Sequence, residues 1–253
     1  MANSPLIGVV IVLGSTALAI GGLFAFLRWF PHLATNEDEG PKGVFFSMVG
    51  VLYAVLLAFV VVIVWSDFVD AGHTSQTEVT RLSNLARDAG GFPPDVRDTM
   101  RERLVVYAEA VAGPEWDAMS DGEASPVAAE AYEAVWAEYY AFEPATDEQA
   151  TFFGESLGRL NELGENRRLR LLQSRATVPA PMWLLLVAGF VITVGWTYLF
   201  GTARLATHVI SAGSIACLTG FVLYLIYAMQ HPFAGSVRIS PDPFIEFARQ
   251  WAA

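Results

Sequence analysis

Four long runs of apolar residues mark the chain, over residues 7–30, 43–65, 182–200 and 205–229, and about 110 more polar residues part the second run from the third. Each run supplies the roughly 18 to 20 residues an α-helix needs to cross a hydrocarbon core about 30 Å thick. Three runs contain no Asp, Glu, Lys or Arg, and the first meets only Arg28 near its end, where a long side chain can reach the headgroups. The N-terminus lacks a basic stretch and the first run is longer than a signal-peptide core, so a retained span is expected there. The pattern predicts an all-α integral membrane protein with four transmembrane helices and an all-helical cytoplasmic domain between the second and third. Residues 1–66 carry the first two spans, 67–178 the inserted domain, 179–231 the last two spans and 232–253 a C-terminal strap.

The inserted domain reads as four helices. The second span continues through about residue 89 without a proline, with Val79, Leu82 and Leu85 near helical spacing, until Gly90, Gly91, Pro93 and Pro94 stop it. A second helix covers about 95–111 and closes at Gly113 and Pro114. Ser125 and Pro126 form an N-cap and first-turn pair for a third, ending near Pro144. The fourth starts at Thr146–Glu148 and runs to about Thr177, with Leu157, Leu160, Leu163 or Gly164, and Leu171 forming its packing stripe. In the tail, three prolines forbid a continuous helix, while Phe233, Val237, Ile239 and Phe244 need cover. An extended strap on the body is expected.

Charge changes this picture in one respect. Of 26 Asp and Glu and 15 Lys and Arg, residues 67–178 hold 21 acidic groups against 10 arginines, which accounts for the whole formal charge of −11. An acidic extramembrane body argues against nucleic acid or an anionic lipid surface as its partner. Arginines nonetheless gather at one place, with Arg167, Arg168, Arg170 and Arg175 preceding the third span as a membrane-proximal basic cluster, and Arg238 and Arg249 following the fourth. The opposite flanks hold Lys42 and Arg204, with Glu37, Asp38 and Glu39 nearby, so both termini and the body are placed in the cytoplasm. Salt bridges to nearby carboxylates, or a lipid-headgroup or ion-vestibule site, are the two readings of the arginine cluster. The single cysteine, Cys217, excludes an intrachain disulfide.

The second span carries the most geometry. Ser47, Gly50, Ala54 and Ala58 form a ladder of small helix-packing residues that lets another helix approach. Val49, Leu56, Val60 and Ile63 form an apolar stripe that faces either lipid or a hydrophobic pore neck. Asp67, Asp70 and His73 follow at three-residue spacing; they spread too widely around a helix for a metal site, but in an oligomer each repeats as an ion-ring candidate. Glu78 and Arg81, at i and i+3, form a local ion pair. His32, His73, His208 and His231 are scattered, and no phosphate loop, HExxH, CxxC or nucleophile elbow occurs, so neither an enzyme nor a cofactor or bound metal is indicated. Thr193, Ser211, Ser214 and Thr219 are expected to hydrogen-bond between helices, and His208 to sit at the membrane interface.

The segments YAVLLAFVVVIVWSDFVDA, TEVTRLSNLARDAGGFP, LNELGENRRLRLLQSRATVPAPMW and HPFAGSVRISPDPF occur in that order, and together they resemble the bacterial bestrophin-like domain family over about residues 43–244. Bestrophins proper are pentameric ion channels with four membrane helices per subunit, the second lining a hydrophobic neck, and a helical cytosolic part between the second and third. The resemblance implies a homo-oligomeric, pentameric ion channel of the bacterial inner membrane, with inorganic ions and the lipid bilayer as partners and Val49, Leu56, Val60 and Ile63 as neck residues. The acidic calcium clasp of animal bestrophins has no equivalent here. The alternative is a non-conducting scaffold or regulatory protein whose acidic helices recruit a cytoplasmic partner.

Overall fold

The computed structural model describes residues 5–30, 32–33, 39–200 and 204–252. Among them the α-helices are α1 Pro5–Trp29, α2 Glu39–Asp88, α3 Pro94–Ala110, α4 Trp116–Met119, α5 Pro126–Ala141, α6 Asp147–Arg175, α7 Ala180–Tyr198, α8 Leu205–Met229 and α9 Asp242–Trp251. Four of them, α1, α2, α7 and α8, are long and apolar enough to cross a membrane. The acidic Glu37 and Asp38 lie outside the described residues.

The chain divides into two compact units, one of residues 1–66 with 177–230, the other of 67–176 with 231–253. The first contains α1, the apolar part of α2, α7 and α8. There α1 and α8 lie closest, because small residues remove the side chains that would hold them apart: Gly220 lets the Ser15 side chain lie directly on the α8 backbone. The Tyr198 hydroxyl of α7 donates to the Ala19 carbonyl of α1 at 2.6 Å. The apolar part of α2 meets α7 through Tyr53, whose ring covers Gly189 and whose hydroxyl donates to the Leu186 carbonyl at 2.9 Å.

In α2, 50 residues run as one helix, roughly 75 Å at the standard rise. No proline falls between Pro41 and Pro93, so nothing interrupts the backbone ladder where apolar sequence gives way to polar. A 3-10 turn at Ala89–Gly91 ends it, at the glycines and prolines expected to stop it.

The second unit has a single core. Leu82 and Leu85 of α2, Leu104 and Tyr107 of α3, and Leu160 and Leu163 of α6 are fully buried in it, with Leu157 and Leu171 partly buried alongside. Helix α6 opens on Thr146, whose side chain accepts from the Gln149 amide while the Gln149 side chain accepts from the Ala145 amide, a reciprocal cap. Ser125 occupies the N-cap of α5 without a side-chain cap bond, so Pro126 alone presets that start.

Two expectations fail here. Gly113 and Pro114 do not end the helical path; they sit in a π-helical turn, Val111–Glu115, which leads into α4. The wide turn tolerates the proline and carries Glu115 and Trp116 inward, where both are buried. The tail is not an extended strap throughout. Residues 231–240 form turns, with Gly235 at φ 82, and Pro241 then starts α9. Proline in the first turn of a helix costs no hydrogen bond, so Pro241 and Pro243 open a helix where they were expected to prevent one. Phe233, Phe244 and Phe247 bury in the core of the same chain, and Trp116 lies edge-on to Phe233 at 5.2 Å while donating to the Ile239 carbonyl. Phe244→Ala is expected to destabilise this unit by about 3–5 kcal/mol, from lost transfer energy and an unfilled cavity. Thermal unfolding in detergent followed by tryptophan fluorescence measures it, and an unchanged midpoint would contradict the packing.

Candidate functional site: the second helix and a buried charge cluster

One stripe of α2 is buried along nearly its whole length: Tyr53, Val60 and Val64 in the first unit, then Ala71, Ser75, Glu78, Leu82 and Leu85 in the second. Around it the apolar part of the helix is bare. Val44, Met48, Val51, Leu52, Val55, Phe59 and Val62 are all exposed, Leu52 to 73%. Of the four neck candidates, Ile63 is exposed, Val49 and Leu56 are half-buried, and Val60 is only 4% exposed because it belongs to the buried stripe. The structure therefore separates Val60 from the other three. The small residues Ser47, Ala54 and Ala58 are exposed, and Gly50 has no neighbour within 4 Å of where a Cβ would stand, so no described helix of the same chain occupies that ladder. Asp67, Asp70 and His73 are exposed on the continuing helix, and no three His, Cys, Asp or Glu among the described residues are placed to hold a metal.

Glu78 leaves the expected local pair. Arg81 reaches Glu162 of α6 at 3.0 Å, while Glu78 lies on the inward stripe and is fully buried. A carboxylate removed from water needs charge-assisted partners on both oxygens. Arg170 of α6, also fully buried, supplies them: its Nε donates to Glu78 Oε2 at 2.7 Å and its Nη2 to Oε1 at 3.1 Å. The Tyr107 hydroxyl donates to the same Oε1 at 2.6 Å. Nη2 also donates to Glu115 Oε1 at 2.7 Å, and Arg167 meets the other oxygen of Glu115 at 2.7 Å. Two carboxylates and two guanidinium groups thus balance, with the Arg170 plane near the Trp116 and Phe244 rings.

The electrostatics follow from this geometry. Burial alone disfavours the Arg170 cation, yet the charge and hydrogen bonds of Glu78, aided by Tyr107 and Glu115, outweigh it and hold its pKa above the ordinary value. Burial pushes the Tyr107 phenol well above 10.0, with the Glu78 charge adding to the shift and Arg170 opposing it. Of the two readings of the arginine cluster, salt bridges to carboxylates describe Arg167 and Arg170. Arg170 is spent inside the core and Arg167 is engaged by Glu115, while Arg168 and Arg175 remain exposed. Glu115 and Tyr107 escaped the sequence reading, because a π turn and partners 55 and 29 residues away leave no local signature.

In the first unit, His208 is buried, with its Nε2 at 2.8 Å from the Thr197 carbonyl. Thr197 and Ser214 bond back to carbonyls of their own helices, at Val194 and Ile210, and so do not bridge helices.

A family model described as a Bestrophin-like domain matches residues 13–244. Among solved structures, a point-substituted bacterial bestrophin homologue from Klebsiella pneumoniae is similar at TM-score 0.74 and 16% identity, covering 97% of this chain and 99% of that one. A second substituted form of that homologue gives 0.72 and 16%, covering 95% and 96%. A crystal structure described as a membrane protein gives 0.72 and 15%, covering 96% and 97%. No curated protein matches the chain.

Arg170→Met should cost about 3–5 kcal/mol, since it leaves two buried carboxylates without their shared cation. Wild-type stability should also fall as pH rises above 10.0. Burial raises Tyr107 well above that value and Tyr139 to about 12, so the folded state keeps protons that the unfolded chain releases. Thermal midpoints across this range check both, and a flat alkaline profile would contradict the tyrosine environments.

Proposed function

The chain belongs to the Bestrophin-like domain family, and from that membership we propose an oligomeric ion channel of the bacterial inner membrane. Four helices span the bilayer in this reading, both termini and the 67–176 unit lie in the cytoplasm, and five copies surround one axis. The observation that carries it is α2: one unbroken helix with an apolar stretch that its own chain leaves largely uncovered. Monomeric proteins rarely leave so much apolar surface bare, and lipid together with neighbouring copies would cover it. Val49, Leu56 and Ile63 repeat at seven-residue spacing on one flank of α2, which suits a constriction that gates by dewetting. Val60, packed within its own chain, lies beside that flank on the buried stripe. Further along the same helix Asp67 and Asp70, with His73, would repeat as rings and favour cations near the opening. Ser47, Gly50, Ala54 and Ala58 give the neighbouring subunit its approach surface.

Native mass spectrometry from mild detergent should give a pentamer. Reconstituted liposomes should carry ion flux, and Leu56→Ala, by widening and wetting the constriction, should raise it. Folded oligomer that carries no flux under any ionic condition would overturn the proposal.

A further inference from the structure

One groove of the second unit has no part in the channel reading. It measures about 470 Å³ and runs along a face of α6, with Arg168 and Arg175 two turns apart on its floor and Tyr132 of α5 and Arg167 at its wall. The surrounding unit is strongly acidic, so three guanidinium groups against the single carboxylate of Glu165 make a local reversal of sign. Part of their donor capacity is unspent. The Nε of Arg167 is buried without a hydrogen-bond partner, although its Nη2 holds Glu115. Arg168 is exposed and joins none of the ion pairs among the described residues. Arg175 is exposed and uses Nε on the Gly122 carbonyl at 2.9 Å, which steadies the side chain. Gly164 admits the Tyr132 ring against the α6 backbone, and Arg167 lies over that ring at 5.8 Å, so the wall is held by packing. Beside the arginines Leu172 is 57% exposed, which gives the groove an apolar edge next to its cationic floor.

We propose that this groove binds a phosphate ester anion. Planar guanidinium forks match the oxygens of a phosphate better than an ammonium does, and every basic group in the groove is an arginine. An anionic phospholipid headgroup and a small soluble phosphate compound share that chemistry. The apolar edge suits the first, and the openness of the arginines to water suits both.

Native mass spectrometry and thermal unfolding of the full-length protein in neutral detergent test it, with dioleoyl phosphatidylglycerol and glycerol 1-phosphate as probes and dioleoyl phosphatidylcholine as the uncharged control. The wild type should bind phosphatidylglycerol in preference to phosphatidylcholine, and Arg168→Gln with Arg175→Gln should weaken binding by about tenfold or more. Both substituted positions are exposed, and Arg249→Gln, outside the groove, should leave binding unchanged. Binding of phosphatidylglycerol alone assigns the site to lipid; arginine-dependent binding of glycerol 1-phosphate as well assigns it to phosphate compounds in general. No binding of either probe, or equal binding by the double variant, overturns the proposal. These readouts do not involve conduction, so failure here leaves the channel reading intact, and absence of flux leaves this one intact.

Discussion

A carboxylate inside an apolar core has to be neutralised where it stands, and much of the second unit is organised around doing that for Glu78. Arg170 contributes a fork that meets both oxygens, Tyr107 adds a third donor, and Glu115 takes the remaining face of the guanidinium. Those four residues come from α2, α6, α3 and the π turn, so one cluster ties together elements that are far apart in sequence. Its net worth relative to an apolar core of the same shape is modest, because desolvating the ions consumes most of the Coulomb attraction. What it adds is specificity. A helix that slides or rotates against this cluster loses directed bonds and strands buried charge, whereas a helix sliding on leucines loses little.

In the first unit packing selects its own line along the apolar part of α2, through Tyr53, Val60 and Val64. Tyr53 repeats the device more weakly, with a ring on Gly189 and a hydroxyl on a carbonyl. The arrangement explains why Val49, Leu56 and Ile63 part company from Val60 although all four fit one broad apolar stripe. A stripe drawn on a helical wheel is wider than the line of contact that packing selects from it.

How much of this was legible in the sequence depended on the range of the interaction. The apolar helices, the continuation of α2, its stop at Gly90 to Pro94 and the start of α6 after Thr146 are set by neighbours a few residues away, and the residues announce them. The inward stripe of α6 was readable too, since period alone locates Leu160 and Leu163. Glu78 was not. Arg81 lies one turn away and offers the nearest ion pair, but burial decides between partners, and burial is a tertiary property. The π turn at Val111–Glu115 failed for the same reason: Gly113 and Pro114 carry a strong local stop signal that the packing of Trp116 and the bonding of Glu115 override. The Thr197 carbonyl beside His208 is a tertiary partner that hydropathy cannot see.

The arginines before α7 show the same sorting of one sequence motif into separate physical roles. Residues 167–170 read as a block of positive charge, the usual mark of a cytoplasmic flank. On a helix they diverge: Arg170 points to the core, Arg167 lies at its edge, and Arg168 turns outward with Arg175. A block that served topology alone would need no particular rotation, and lysine would serve as well. The buried position demands arginine, since an ammonium cannot bridge two carboxylates with a planar fork. Once Arg170 sets the rotation of α6, the direction of Arg168 and Arg175 follows from helical geometry, so the basic groove exists as a consequence of the buried pair.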